Sequence, residues 1–310
     1  MKNGGFDPEY TESEKQRLYD EIEAKINEKG AYAARRMYEI MFEGEAGAIS
    51  KTGYMEDVPG IDPVSEYGYY KELISECPVI VYGVGNMDMP KLETAVTAMF
   101  KDIPRSVRPL TRTVQKEHHL ISCVRKVVEE MEVQQGKLAM GYRANGFMSD
   151  RKRYSDLLLA CEIFGSSPVA KLFMHVREKL NLCYDCSSQL SGALGSVFVY
   201  AGIDTKNLNT VLCAIDDMLC EVKNGEFDQS ELDIAKKSII SAIRTGFDSP
   251  KYMIAFYISR LLAEVNDTPE ALISRIEAAT AEDVAAAAAN MQLDTVYFLC
   301  GSKKAAEEQL

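Results

Sequence analysis

The chain has 310 residues, 46% hydrophobic and 26% charged, the balance of a globular protein with material for two ordinary domains. Its net charge of −12 and pI of about 4.9 would repel a phosphate backbone, so nucleic acid is excluded as an expected partner. No apolar run is long enough to span a bilayer, and Met1-Lys2-Asn3-Gly4-Gly5 lacks the apolar core of a signal peptide, so no membrane partner is expected. The eight scattered cysteines (77, 123, 161, 183, 186, 213, 220 and 300) then read as reduced, mostly buried thiols, which points to the cytoplasm.

In chain order, Asp7 can cap a helix whose first position suits Pro8; it is expected to run to about Glu28, with Lys29-Gly30 closing it. A second helix spans Tyr32 to about Phe42 and stops at Glu43-Gly44, and a third covers Pro63 to Ile74. Pro78 to Gly85 is a short apolar run rich in β-branched residues and reads as a buried strand. Leu92 to Met99 is helical again. Residues 101–121, with Arg105, Arg108, Arg112, Pro104 and Pro109 and no periodicity, read as an extended linker. Beyond it the pattern predicts strands at 124–129 and 137–143, helices near 150–164 and 167–181, and a strand pair at 183–190 and 196–204 turned by Ser191 to Gly195. The helix from Asn207 is the clearest, with Leu208, Val211, Leu212, Ile215, Met218, Leu219 and Val222 on one face and Asn224-Gly225 at its end. Helices from Asp228, Ser249-Pro250, Thr268-Pro269 and Thr280 follow. Asp228 with Glu231 and Thr280 with Asp283 each resemble a capping box. A strand over Thr295 to Gly301 ends the pattern.

The chain also repeats itself. Lys2-Asn3-Gly4-Gly5-Phe6-Asp7 matches Lys223-Asn224-Gly225-Glu226-Phe227-Asp228 at five of six positions, at an offset of 221 residues (227 − 6). The following helices keep register, Lys15 with Lys236, Leu18 with Ile239 and Ile22 with Ile243, and the copies end alike in Val79–Gly85 and Val296–Gly301. The second copy has 105 residues (227 − 122) between the linker and Phe227, whereas only five precede Phe6. The expectation is that about 100 residues of the first copy are absent from this sequence, leaving an open sheet edge and a bare apolar face for a partner chain or a missing segment to cover.

At Lys171 to Tyr184 (KLFMHVREKLNLCY) the sequence resembles the second-half signature of the pitrilysin/insulinase (inverzincin) zinc metallopeptidases: an apolar helix, Arg-Glu, then a turn and a Tyr opening a strand. The likeness extends over essentially the whole chain and is nearest to the bacterial non-catalytic pitrilysin-like proteins associated with elongation factor P modification. It implies an α+β fold of two similar LuxS/metallopeptidase-like halves, each an antiparallel sheet covered by helices. Residues 1–100 would be the later portion of the first half, 101–121 a linker, and 122–310 a complete second half. The family's zinc motif, His-x-x-Glu-His on a helix, places two ligands one turn apart beside a general-base Glu. The histidines here are His118, His119 and His175, and none stands in that spacing. No catalytic residue, metal ligand or cofactor is therefore expected in this chain. Glu21, seven residues after Glu14, falls where the resemblance places the third zinc ligand, but without the motif both read as surface carboxylates.

Arg177 and Tyr184 match an Arg–Tyr pair that, by the resemblance, faces the zinc across the chamber, contacts the peptide and steadies the oxyanion. A guanidinium and a phenol are suitable donors for that purpose. Asn181 replaces the family's usual Gly and is the next best residue for a left-handed turn. The implied function is a non-catalytic subunit or half of a zinc peptidase that binds peptide and pairs with a zinc-bearing homologous subunit as a heterodimer. Two alternatives stand: a fragment of an active zinc endopeptidase whose motif lies upstream, and a non-enzymatic peptide- or protein-binding scaffold. Weaker signals read as structural. Cys183-Tyr-Asp-Cys186 is a C-x-x-C whose members should point to opposite faces of a strand. Gly192 to Gly195 reads as a hairpin turn rather than a phosphate loop.

Overall fold

A computed structural model describes residues 4–108 and 123–309. The chain opens with α1 (Pro8–Asn27), where the Asp7 carboxylate accepts from the Glu9 amide at 3.0 Å and Pro8 takes the first position. Lys29-Gly30 does not close this helix. Glu28 alone breaks the path, and Lys29 already begins α2 (Lys29–Met41), because one residue at ψ 87° is enough to redirect the chain. Helices α3 (Pro63–Glu76) and α4 (Met89–Phe100) follow, each capped by an aspartate, Asp62 and Asp88. The segment between them, Pro78 to Gly85, forms no strand. A β-branched apolar run supplies propensity, but a strand exists only through its neighbours' hydrogen bonds, and among the described residues none reaches this one. The predicted linker lies outside the described residues from 109 to 121; residues 101–108 run without regular structure.

The second part holds the sheet. Strands β1 (Arg125–Glu130) and β2 (Gly136–Arg143) lead to α5 (Arg151–Cys161). Two stretches of wide, π-type winding come next, Glu162–Ser166 and Leu172–Lys179, in place of plain α-helix. Strands β3 (Cys183–Ser191) and β4 (Ser196–Ile203) form a hairpin. Its turn needs Gly195, which sits at φ +60° with its Cα so close to the Phe147 ring that a Cβ would lie 2.6 Å away. Then come α6 (Leu208–Lys223), α7 (Gln229–Gly246), α8 (Pro250–Leu262), α9 (Pro269–Ala278), α10 (Ala281–Ala289), β5 (Gln292–Cys300) and α11 (Lys303–Glu307). Both capping boxes form, Asp228 with Glu231 and Thr280 with Asp283.

The sheet order is β1-β5-β2-β4-β3, antiparallel except for the parallel pair β1–β5. This is the expected α+β architecture. One face carries the main core: Leu157, Phe164, Val176, Val211, Ile215, Leu219 and Val222 pack against Leu138, Met140, Val197, Val199, Val296 and Phe298. On the other face Met37, Met41 and Phe42 at the end of α2 pack against Ala139, Phe198, Tyr297 and Leu299. Because both faces are covered, β5 reads as an unbroken apolar run rather than an alternating one. The approach of α2 is close enough that a Cβ on Gly141 would lie 2.3 Å from the Met41 sulfur.

Candidate functional site

The stretch from Leu172 to Ser191 carries the residues the sequence singled out. Arg177 lies in the wide helix Leu172–Lys179, with its guanidinium 4.5 Å from the centre of the Phe173 ring and 3.8 Å from the Glu178 carboxylate. The helix closes through Asn181 N–H to Arg177 C=O (3.1 Å) and Leu182 N–H to Val176 C=O (3.1 Å). Asn181 adopts the left-handed conformation, φ 51°, as the replacement of Gly by Asn implied. The chain then enters β3, where the register slips: Cys183 faces Ile203 and Asp185 faces Gly202, so Tyr184 is the extra residue of a β-bulge. Its side chain stands 71% exposed. A bulge at an edge strand re-aims one side chain, and here that side chain is Tyr184. Both residues of the predicted pair are thus solvent-accessible, flanking one tight turn.

A second polar region was not foreseen. Asp294, 2% exposed, bonds to Arg143 Nε at 2.8 Å and to Arg125 Nη2 at 2.8 Å. The same two arginines donate to the last carbonyls of α2, Arg125 to Ile40 and Met41 (2.5 and 2.9 Å) and Arg143 to Met41 (2.6 Å), and Glu45 pairs with Arg143 at 2.8 Å. This places positive charge at a helix C-terminus, where the dipole favours it. Burial raises the Asp294 carboxyl, but bonds from Thr295 and Arg143, with the Arg125 charge, outweigh it and hold the group below its ordinary value. At the other end of α2, Glu129 accepts from Tyr32 (2.5 Å), Tyr297 (2.8 Å) and Arg36 (3.1 Å). Burial again opposes and those bonds win, so Glu129 lies low, while burial and the Glu129 contact push Tyr32 up to about 12. The one signal in the sequence was Asp294, the single charge in the apolar strand β5.

Among the described residues no group of three or more His, Cys, Asp or Glu side chains is placed to hold a metal ion. Glu21 is an exposed partner of Lys25 (3.0 Å), and Glu14 pairs with Arg17 (2.6 Å). His118 and His119 lie outside the described residues. The zinc that the resemblance implies has no fitting set of donors among the described residues.

The third feature is a surface. Neither α3 nor α4 buries a single residue, and Val64, Tyr69, Tyr70, Leu73, Met89 and Met99 stand exposed along them. Val79, Ile80 and Val81 between them are exposed too, at 45–52%. Apolar surface exposed to this extent ordinarily meets another surface.

A five-stranded sheet with helices on both faces, and no group of three or more metal-ligating side chains among the described residues, define a mixed α+β protein. The chain belongs to the family described as the peptidase M16 inactive domain, whose model matches residues 67–239. It is 28% identical, over 98% of its length and 71% of the relative's, to a protein of Bacillus subtilis named probable inactive metalloprotease YmfF. A conserved protein from Enterococcus faecalis V583 superposes with a TM-score of 0.88 at 25% identity, covering 97% of this chain and 71% of that one. The peptidase M16 inactive domain from Pseudomonas fluorescens shares the fold, with a TM-score of 0.77 at 16% identity over 96% and 72% of the two chains. Among the described residues no helix is long and apolar enough to cross a membrane.

Proposed function

We propose that the chain is the non-catalytic subunit or half of a pitrilysin-type zinc peptidase, working in a cytoplasmic heterodimer with a zinc-bearing homologous chain. Arg177 and Tyr184 then face a shared chamber, where they hold the peptide and donate to the oxyanion that forms on its scissile carbonyl. The zinc and the general base belong to the partner. In this arrangement residues 1–100 are the later part of one half, 101–121 a connector and 122–310 the other half.

The observation that carries the reading is the uncovered apolar surface of α3, the 79–81 run and α4, beside a second part that is closed on both faces. Such a surface suits a permanent neighbour, while Arg177 and Tyr184 remain open to a ligand. The name of the B. subtilis relative, an inactive metalloprotease, agrees with the absence of a zinc motif in this sequence.

The test is reconstitution with a zinc-bearing homologue. The chain alone is expected to cleave no peptide and to carry no stoichiometric zinc. In the reconstituted complex, Arg177→Ala and Tyr184→Phe are each expected to lower turnover by on the order of 100-fold, the usual loss for one oxyanion donor. One zinc per isolated chain would sink the proposal, as would full turnover with both residues changed.

A further inference from the structure

We propose that Cys183 and Cys186 form a reversible dithiol–disulfide site that reacts with small disulfides of the glutathione type. The inference does not depend on the peptidase reading.

Alternation along a strand would send residues three apart to opposite faces. The bulge at Tyr184 cancels this. Cys183 lies opposite Ile203 and Cys186 opposite Ala201, so three steps of β3 are laid against only two of β4. Ile203 and Ala201 are two apart and share a face, and both cysteines join the same helix-covered core, 6% and 4% exposed. Two residues of strand rise about 6.6 Å, which puts the cysteine Cα atoms near the upper end of the span of roughly 4.4–6.8 Å that a disulfide bridges.

The two thiols are not equivalent. The neighbouring Cys186 thiol, helped by the Arg177 charge and opposed by burial, draws the Cys183 thiol below its ordinary value; Cys183 and burial push Cys186 up. Cys183 is therefore the attacking sulfur. Its thiolate attacks one sulfur of the small disulfide, forms a mixed disulfide and releases one thiolate. Cys186 then gives its proton to solvent, attacks the Cys183 sulfur and releases the second thiolate. The protein loses two protons and two electrons, and the small disulfide leaves as two thiols. The bridge spans Tyr184, so oxidation clamps the bulge that aims that side chain.

The experiment incubates the full chain with oxidised glutathione, blocks free thiols with iodoacetamide in denaturant, and digests with trypsin. The tryptic peptide 180–206 contains these two cysteines and no others. Its expected mass is lower by two hydrogens and free of alkylation, and dithiothreitol before blocking restores two alkylated thiols. In Cys186→Ser, with no second thiol to resolve the intermediate, Cys183 is expected to retain one glutathione. Both cysteines alkylated in the wild type, while exposed Cys213 and Cys220 carry glutathione, would overturn the proposal. So would Cys186→Ser with Cys183 unmodified.

Discussion

The runs Val79–Gly85 and Val296–Gly301 are both short and apolar, yet they end in opposite states. Val296, Tyr297, Phe298 and Leu299 are fully buried in β5, between β1 on one side and β2 on the other. Val79, Ile80 and Val81 lie half exposed with no strand beside them among the described residues. The helices that precede them differ likewise. α10 packs on α5 and α6, while α3 buries nothing. Composition sets what a segment can become, and the neighbours that share its backbone bonds and cover its side chains decide what it is.

That contrast is open to measurement, and the largest effect lies on the buried side. Phe298→Ala empties a closed core position and is expected to lower unfolding free energy by about 4 kcal/mol in urea titrations. A loss under about 1 kcal/mol would mean that β5 is no better packed than its counterpart. Asp294→Ala removes the buried carboxylate that Arg125 and Arg143 share and leaves Arg143 only Glu45, and is expected to remove about 3 kcal/mol, with α2 losing amide protection in hydrogen exchange. Unchanged exchange in α2 would show that the arginines hold it without the aspartate.

A smaller effect should appear as a pH dependence. Glu129 has a folded-state pKa below its unfolded one, so its contribution to stability is present above the unfolded value, near 4.3, and fades as pH falls through the folded value. Glu129→Gln is expected to flatten the acid limb of the stability curve below about pH 5 and to leave its neutral shape alone; an acid limb identical to the wild type would refute this. Ile80→Ala, the counterpart test, is expected to change the isolated chain by no more than about 0.5 kcal/mol. Added to the zinc-bearing partner, the same variant should weaken assembly by about 1–2 kcal/mol. Equal affinity for variant and wild type would remove the 79–81 run from the interface.

Much was legible from pattern. The caps at Asp7, Asp228, Thr268 and Thr280, the apolar face of α6 and the five strands of the second part are local signals, and each formed near its expected place. The Arg177–Asn181–Tyr184 turn was readable for the same reason, since a left-handed Asn closing a helix is a property of a few residues. Three features were not readable. The π-type winding of 162–166 and 172–179 answers to packing against β3, where a Cβ on Gly165 would lie 3.0 Å from the Ser188 amide. The bulge at Tyr184 reverses the faces of Cys183 and Cys186, and it shows only in the register with β4. The seat of α2 depends on Arg125 and Arg143, 84 and 102 residues beyond Met41, and on Asp294, 169 and 151 residues beyond those arginines.

By itself the sequence determined the helices, their caps, the apolar strands, the family pattern around Arg177 and Tyr184 and the missing zinc motif, because each depends on residues within a few turns of one another. Which of two similar apolar runs becomes a strand, which thiols meet, and which helix covers the second face of the sheet were decided by tertiary structure alone. Those outcomes require hydrogen-bond partners and ion pairs contributed by distant parts of the chain, and no local pattern records whether such partners are within reach.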